Sequence, residues 1–322
     1  MPAVSIRNLK KTYGTLCAVD SLSLEIEDGE VFGLLGPNGA GKTTTLMMLV
    51  TLVPPTAGSA LVNGFDIVTR ADRVRRSIGV VFQDPSSDET LTGYENLKLH
   101  GMLYDMPARL REQQIEEVLA LVGLTERKDD VVKKYSGGMR RRLELARGLM
   151  HHPKILFLDE PTLGLDPQAR EHIWEYVKNL AEKKNITIIL TTHYMEEADR
   201  LCDRIAIIDR GKVAALGSPA RLKQDIGGDR VFLRGAGGDG KNLGDLAFVR
   251  QVEPVSGGIS LVVEDASRHL QEILARSGPV ESVDVRAVTL DDVFLYYTGR
   301  EMREGSPEGD WAAKAMQAGL RR

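Results

Sequence analysis

The chain alternates short apolar runs with longer stretches in which apolar residues recur every three or four positions. "EVFGLLG", "KILFLDE", "ITIILTTH" and "RIAIIDRGKV" are apolar runs bounded by turn or polar residues. Such runs are typical of strands buried in a parallel sheet. "YENLKLHGMLY" and "LREQQIEEVLALVGL" instead have helical spacing. The pattern predicts an α/β domain over residues 1–222, with a helical subdomain at about residues 91–148.

After "GSPARLKQDIGG" the pattern changes. Many glycines stand between Gly227 and Gly244, which predicts a linker with one weak strand. "ISLVVED", "SRHLQEILARSG" and "VESVDVRAV" then predict a strand, a helix and a strand, and "TLDDVFLYYTGR" predicts a closing helix. We therefore expect a small α+β domain over residues 223–300, followed by a polar tail over residues 301–322.

The composition is that of a soluble globular protein, with 322 residues, 42% of them hydrophobic and 27% charged. The net charge of -4 gives no basic excess for nucleic acid. No apolar run approaches the roughly 18 residues of a membrane span, and the N-terminus lacks a signal-peptide core. We expect a protein kept inside the cell, with Cys17 and Cys202 as buried, reduced thiols.

"GPNGAGKTT" fits the phosphate-loop pattern, and it follows a predicted strand and opens a predicted helix. Its glycines let backbone N–H groups surround a β-phosphate, Lys42 brings a charge to the β and γ oxygens, and the Thr43 hydroxyl suits Mg²⁺. The predicted nucleotide-binding residues of this loop are Gly36, Pro37, Asn38, Gly39, Ala40, Gly41, Lys42, Thr43 and Thr44. Kinases, GTPases and motors share such a loop, so it predicts only a nucleoside triphosphate.

"ILFLDEP" places Asp159 and Glu160 at the carboxyl end of a strand, where doubly wound sheets bind their ligands. Asp159 suits a place near Mg²⁺, and Glu160 can polarise the attacking water. An acidic strand end that merely faces solvent is the weaker interpretation, because adjacent carboxylates repel each other.

The phosphate loop, Gln83, "YSGGM", "LDEP" and His193 occur in one order and spacing that resembles the ATP-binding cassette (ABC) ATPases. The resemblance implies a P-loop NTPase fold with a mixed sheet, ATP as the nucleotide and Mg²⁺ as its metal. It implies that Tyr13 stacks on adenine, and that Gln83 contacts Mg²⁺ and senses a transmembrane partner. It also implies that His193 acts near the γ-phosphate, so the expected catalytic residues are Glu160, His193 and Gln83.

The signature of that family matches residues 135–139, with Ser136, Gly137 and Gly138 at a predicted helix start. Bare N–H groups at a helix start form an anion site. Since the chain already has one phosphate cradle, this second half-site would bind the ATP of another copy. We expect a homodimer with two ATP molecules between its subunits.

The resemblance further implies that residues 163–166 cross this dimer, with Asp166 at the nucleotide. Tyr135 and Met139 replace the usual Leu and Gln of the signature, and Leu163 replaces the commoner Ser of the crossing loop. The phosphate-facing residues of the signature are intact, so these departures leave the expected clamp in place.

Several charged residues have a plainer interpretation. We expect Arg140, Arg141 and Arg142 to face solvent or neighbouring carboxylates, rather than nucleic acid. We expect His151 and His152, which precede a proline, to be exposed.

"DETLTGYENLKLHGMLYDMP", "DEPTLGLDPQAR" and "VTLDDVFLYYTGR" resemble the drug-exporter ATPases of the daunorubicin-resistance type. This implies a separate integral-membrane permease, contacted through residues 83–94, and a peripheral place on the cytoplasmic face of the cell membrane. The membrane would be contacted only through the permease, and the cargo would be a drug, lipid, polysaccharide or ion. A soluble ABC ATPase acting on nucleic acid or ribosomes remains the alternative.

Overall fold

The computed structural model describes residues 2–184, 186–235 and 241–299. The chain divides into two compact units, one with residues up to Leu216 and one that begins at Gly217. The sequence places this boundary slightly later, after residue 222. The polar tail predicted for residues 301–322 lies outside the described residues.

The first unit contains strands and helices in alternation, as the apolar pattern predicts. Its strands are β1 (Val4–Tyr13), β2 (Leu16–Ile26), β3 (Val31–Leu35), β4 (Ala57–Val62), β5 (Phe65–Asp66), β6 (Ile78–Val81), β7 (Ile155–Asp159), β8 (Thr187–Thr192), β9 (Arg204–Asp209) and β10 (Lys212–Gly217). Its helices are α1 (Lys42–Leu49), α2 (Ala71–Ser77), α3 (Gly93–Leu103), α4 (Ala108–Leu121), α5 (Gly137–Leu149), α6 (Pro167–Lys184) and α7 (Met195–Leu201).

A six-stranded sheet with the order β10-β9-β3-β8-β7-β6 forms the centre of this unit. Strands β9, β3, β8, β7 and β6 pair in parallel, and every residue of β3, β7 and β8 is buried. These are the runs that the sequence predicts as buried parallel strands. Because β3, β8 and β7 are neighbours and parallel, the segments that follow them leave the sheet at one edge.

A second sheet, with the order β2-β1-β4-β5, is antiparallel. Its inward residues, such as Leu9 and Leu22, share one hydrophobic cluster with Leu46 of α1 and Phe157 of β7. The cluster therefore fixes α1, and with it the start of the phosphate loop's helix, between the two sheets.

The predicted helical subdomain contains α3, α4 and α5. Thr92 and Glu95 form a reciprocal capping box at the start of α3, which satisfies two backbone N–H groups at that end. Ile115, Val118 and Leu119 make the buried face of α4. The segments with helical spacing in the sequence therefore form amphipathic helices.

His151, which follows the helical subdomain, is packed rather than exposed. The His151 ring is stacked on Tyr104 with centroids 3.9 Å apart, and its Nε2 donates to the Ile78 carbonyl at 2.8 Å. The prediction that His151 is exposed is therefore wrong, whereas His152 is exposed. A proline after the pair signals a turn but says nothing of which ring packs inward.

His100 lies beside this stack, and its buried Nε2 has no hydrogen-bond partner among the described residues. Burial, aided by the positive charge of Arg147, lowers the pKa of His100 from 6.5 to about 4. Folding therefore favours the neutral ring. The resulting stability is complete above the ordinary pKa of histidine and is lost as the pH falls towards about 4.

We expect His100→Phe to reduce the loss of unfolding free energy between pH 7 and pH 5 by about 2 kcal/mol. Denaturant unfolding at both pH values measures this difference. His152→Asn, at an exposed neighbouring position, is the control and should keep the original pH dependence. An equally steep loss in His100→Phe would assign the acid sensitivity to other groups.

The second unit has the order α8 (Pro219–Asp225), β11 (Asp229–Arg234), α9 (Lys241–Gly244), β12 (Val249–Val255), β13 (Gly258–Val263), α10 (Ala266–Ser277), β14 (Ser282–Arg286) and α11 (Leu290–Thr298). Its antiparallel sheet has the strand order β12-β13-β11-β14. Val231, Leu233, Leu261 and Ile273 belong to its own hydrophobic cluster. The predicted strand, helix, strand and closing helix are β13, α10, β14 and α11.

Strand β12 is absent from the sequence-based prediction. It is an edge strand, it contains Pro254, and every one of its residues is exposed or half-buried. Proline is tolerated at edges because one side of the strand needs no ladder hydrogen bonds. An exposed edge strand therefore lacks the apolar alternation on which the prediction depends.

The two cysteines differ. Cys202 is buried, but Cys17 is exposed, so the expectation of two buried thiols is wrong for Cys17. Among the described residues, no helix combines the length and apolar character needed to cross a membrane.

Candidate functional site

The phosphate loop connects β3 to α1, as predicted. Gly41 has a φ of 106°, and a Cβ there would lie 2.5 Å from the Ala18 carbonyl oxygen. Only glycine fits such a close approach at this φ. Gly36 is equally restricted, because a Cβ would overlap the Ile208 carbonyl. The loop is thus held tightly against the sheet, and its backbone curls into the N-terminus of α1.

Lys42, the first residue of α1, is buried, and its Nζ donates to the carbonyls of Gly36 at 2.7 Å and Pro37 at 3.1 Å. Nζ also lies 3.8 Å from Glu160 Oε1. Burial lowers the pKa of Lys42, against the opposing effect of the Glu160 and Asp159 carboxylates. An ammonium group inside a loop of backbone N–H groups is a site for an anion of high charge.

Asp159 is the last residue of β7, and its side chain is hydrogen-bonded to the phosphate loop and to β8. Its Oδ1 accepts hydrogen bonds from Thr43 at 3.1 Å and from Thr191 of the neighbouring β8 at 2.5 Å. Burial raises the pKa of Asp159, and the two hydroxyl groups oppose that rise. Asp159 and Thr43 therefore present a carboxylate and a hydroxyl oxygen side by side.

These oxygen donors fit Mg²⁺, which prefers hard oxygen ligands and usually keeps several waters besides one or two carboxylates. Among the described residues, no group of three or more His, Cys, Asp or Glu side chains could hold a metal alone. A metal here would therefore depend on phosphate and water oxygens. Gln83, the third predicted ligand, is exposed in the segment that follows β6.

Glu160 is buried and has a φ of 46°, a left-handed conformation that is uncommon outside glycine. Its N–H donates to both the carbonyl and the hydroxyl oxygen of Thr191, each at 3.1 Å. Its Oε1 lies 3.2 Å from His193 Nδ1, which has no aligned hydrogen-bond partner among the described residues.

Burial raises the pKa of the Glu160 carboxyl, but His193 and the charge of Lys42 together outweigh it and hold the pKa below 4.5. Glu160 is consequently ionised at neutral pH and can accept a proton. The sequence-predicted residues Lys42, Glu160 and His193 therefore meet at the carboxyl edge of three adjacent strands.

The signature residues form a separate site at the start of α5. Ser136 caps the helix, and its hydroxyl accepts a hydrogen bond from Met139 N–H at 3.3 Å. A cleft of about 510 Å³ lies here, lined on one side by residues 136–139 and on the other by residues 164–166. Asp166 Oδ1 accepts from Ala169 N–H at 3.0 Å at the start of α6. None of the residues lining this cleft belongs to the phosphate loop.

Tyr13 ends β1 and is half-buried, with Lys11 Nζ 5.0 Å from its ring centroid. A half-buried aromatic at a strand end is compatible with stacking on a base, and its role stays a prediction.

The three consecutive arginines near the start of α5 have different surroundings. Arg140 pairs with Glu89 at 2.6 Å, as expected. Arg142 donates to the carbonyls of Val122 and Gly123. The prediction that Arg141 faces solvent or a carboxylate is wrong, since its side chain is buried against backbone carbonyls. Helical spacing could have predicted the burial of Arg141, because this residue shares a buried face with Leu145 and Gly148.

Comparison with protein families gives two matches along the chain. The family described as ABC transporter matches residues 19–163. The family described as ATP-binding protein DrrA1-3-like, C-terminal domain, matches residues 217–298.

Curated relatives match over nearly the full length. The chain is 42% identical to the daunorubicin resistance ATP-binding protein DrrA3 of Streptomyces coeruleorubidus, over 94% of this chain and 97% of that protein. It is 40% identical to the Nod factor export ATP-binding protein I of Burkholderia lata, over 94% of this chain and 98% of that protein.

Solved structures match about two thirds of the chain. One is cbiO1 from Clostridium perfringens, described as part of the ABC transporter complex cbiONQ, with 28% identity, a TM-score of 0.66, and 70% of this chain and 92% of that chain covered. Another is the dimeric, post-hydrolysis state of the ATP-binding cassette MJ0796 bound to ADP and Pi. It has 29% identity, a TM-score of 0.61, and 67% of this chain and 98% of that chain covered.

Proposed function

Because the chain belongs to the ABC transporter ATP-binding proteins of the daunorubicin-resistance and Nod-factor-export type, we propose that two copies close around two ATP molecules to drive a separate membrane permease. The protein is the ATP-hydrolysing subunit of an ABC exporter.

The phosphate loop binds the triphosphate. Backbone N–H groups within residues 38–44 and the Lys42 ammonium bind its β and γ oxygens, and Thr43, Asp159 and Gln83 would hold the accompanying Mg²⁺. That ion, when bound, offsets phosphate charge. Tyr13 stacks on the adenine. This mode of triphosphate binding is supported by the burial of Lys42 inside the loop and by the Thr43–Asp159 hydrogen bond.

Glu160 is the general base for the attacking water. It is ionised at neutral pH, and it lies within 4 Å of both His193 and Lys42. His193 sits beside the γ-phosphate position and orients the Glu160 carboxylate. The observation that carries the proposal is this meeting of Lys42, Glu160 and His193 at one edge of the sheet.

The second copy completes each site. Ser136, Gly137 and Gly138 expose hydroxyl and N–H groups at the positive end of α5, a helix of 13 residues. With Asp166 across the cleft, they would clamp the γ-phosphate that is bound in the partner subunit's loop. The dimeric form of the MJ0796 cassette supports such an assembly.

The permease contacts residues 83–94 and the exposed side of α3. Leu99, Met102 and Leu103 are 47%, 53% and 73% exposed there, an apolar surface suited to a partner's helix. The subunit would be peripheral on the cytoplasmic face, touching the membrane only through the permease. The names of the relatives, which concern drug resistance and Nod factor export, support export of a drug, lipid, polysaccharide or ion rather than action on nucleic acid or ribosomes.

Co-expression with the candidate permease tests this arrangement. We expect the two proteins to co-purify from detergent-solubilised membranes, and we expect Glu89→Lys combined with Tyr94→Ala to lose most of that complex and of the coupled transport. These changes remove the Glu89–Arg140 pair and the Tyr94–Glu112 hydrogen bond. Glu175→Lys, an equal charge change at an exposed position of α6, is the control and should keep both.

If the double variant retains both complex and transport, the permease contact lies elsewhere. Salt-sensitive retention of the unmodified protein on DNA or ribosomes, with no membrane co-purification, would favour the soluble alternative.

A further inference from the structure

Arg141 is a buried charge whose hydrogen-bond partners, among the described residues, are backbone carbonyls. Its side chain is 6% exposed, and among the described residues it forms no salt bridge with a carboxylate. A buried guanidinium must use its five N–H donors to offset the loss of water. Arg141 does this with the carbonyl oxygens of Pro161 at 2.6 Å, Phe82 at 2.5 Å, Asp159 at 3.0 Å, Glu160 at 3.1 Å and Gln83 at 3.4 Å.

These carbonyls belong to two segments of the proposed catalytic site. Asp159, Glu160 and Pro161 are the end of β7 and the residues after it, while Phe82 and Gln83 follow β6. A single side chain from α5 therefore joins the backbone of the proposed base to the backbone of the proposed Mg²⁺ and permease sensor. The planar guanidinium can bind both segments at once, whereas an ammonium group is a single point charge.

The Glu160 backbone needs such support, because its left-handed φ is costly for a residue other than glycine. Thr191 holds the Glu160 N–H from the β8 side, and Arg141 Nη2 holds its carbonyl from the α5 side. Fixing both peptide groups fixes the direction of the Cα–Cβ bond. The carboxylate is thereby directed towards His193 and Lys42.

We propose that Arg141 is a positioning residue for ATP hydrolysis, which sets the Glu160 carboxylate and ties it to the Gln83 segment. The proposal rests on the proposed role of Glu160 as the base.

Glu144, one turn further along α5, holds the same segment at a second point. Its Oε1 accepts from the N–H groups of Ser86 and Ser87, at 3.2 and 2.8 Å, and its Oε2 accepts from the Ser86 hydroxyl at 3.0 Å. Since Ser136 caps the start of α5, one helix connects the cleft offered to the second copy with both the base and the sensor segment. Docking of the second copy can then be transmitted to Glu160 along this helix.

The test compares Arg141→Gln, Arg141→Lys and the control Arg204→Gln in the full-length protein. Arg204 is a half-buried arginine that pairs with Glu30 at the opposite, amino-terminal end of the parallel strands. For both Arg141 variants we expect kcat to fall about 10- to 100-fold, with the larger loss in the glutamine variant, while KM and the ATP dissociation constant stay within about threefold. The control should keep kcat, whatever its effect on the melting temperature.

A merely structural Arg141 would lower the melting temperature and leave the kcat of the folded fraction intact, which would overturn the proposal. If Arg141→Gln fails to fold, the test uses Arg141→Lys, which keeps the positive charge. A fall in kcat with an unchanged KM in that variant would support the positioning role, and an unchanged kcat would overturn it. Glu160→Gln is assayed in parallel. An active Glu160→Gln would refute the proposed base, whereas an inactive Glu160→Gln beside fully active Arg141 variants would refute only the inference about Arg141.

Discussion

Glu160→Gln is expected to lower kcat for ATP hydrolysis by about 10²- to 10⁴-fold, the usual contribution of a general base. Glutamine keeps the size and the backbone environment of Glu160 but cannot accept the proton of the attacking water. The Lys42 and Thr43 contacts to the triphosphate would remain, so ATP affinity should change by no more than about threefold. Steady-state hydrolysis and equilibrium binding of ATP measure the two quantities.

The same variant should accumulate as an ATP-bound dimer, because the step that separates the copies no longer occurs. Size-exclusion chromatography with ATP and Mg²⁺ would show the dimer, and the unmodified protein under the same conditions would show mainly monomer after turnover. Glu196→Gln, on α7 outside the proposed site, is the control and should hydrolyse ATP normally. Near-normal hydrolysis by Glu160→Gln would assign the base to another residue.

Lys42→Ala is expected to act on binding itself. Its ammonium group is held at the phosphate loop by the Gly36 and Pro37 carbonyls, where it can form charge-assisted bonds to phosphate oxygens. Losing them should weaken ATP binding by roughly 10- to 100-fold. Isothermal titration with ATP measures the loss, and hydrolysis should fall with it.

Lys10→Ala removes one positive charge from a half-buried pair with Asp20 and serves as the matched control. It should bind ATP as the unmodified protein does. Equal weakening in both variants would indicate a general charge effect, and unchanged binding in Lys42→Ala would place the triphosphate elsewhere.

Much of the fold follows from local patterns in the sequence. The runs ending at Leu35, Asp159 and Thr192 are buried parallel strands because uninterrupted apolar residues need cover on both faces. Their carboxyl ends then lie at one edge, which is why the predicted Lys42, Glu160 and His193 meet. Motif order supplies what local pattern cannot, namely which polar residues belong to one site.

The remainder depends on packing between distant segments. Arg141 looks like a surface residue within "RRR", yet its partners come from segments about 20 and 60 positions away. His151 is likewise half-buried, in a stack with Tyr104, which follows α3. Glu197 has a further buried carboxyl group without a sequence motif, and its Oε1 accepts hydrogen bonds from Thr162 and Trp174. Periodicity marks these positions as inward, but no local rule names their partners.

We propose that each ATP is held by the phosphate loop of one copy and by Ser136–Gly138 of the other. Gly137→Asp would test the contribution of Ser136–Gly138. A Cβ at position 137 would contact only Leu165 Cδ2, at 3.8 Å, so the free subunit should tolerate the added carboxylate. It would nevertheless repel a phosphate. Both Lys42→Ala and Gly137→Asp should therefore be inactive when each is assayed alone.

Mixing the two inactive variants is the most direct measurement. In a mixed dimer one site carries both changes and the other carries neither, so ATP hydrolysis should reappear on mixing. It should peak near equal amounts of the two variants. If the mixture stays as inactive as its components, or if Gly137→Asp alone hydrolyses ATP at the unmodified rate, the shared site is contradicted.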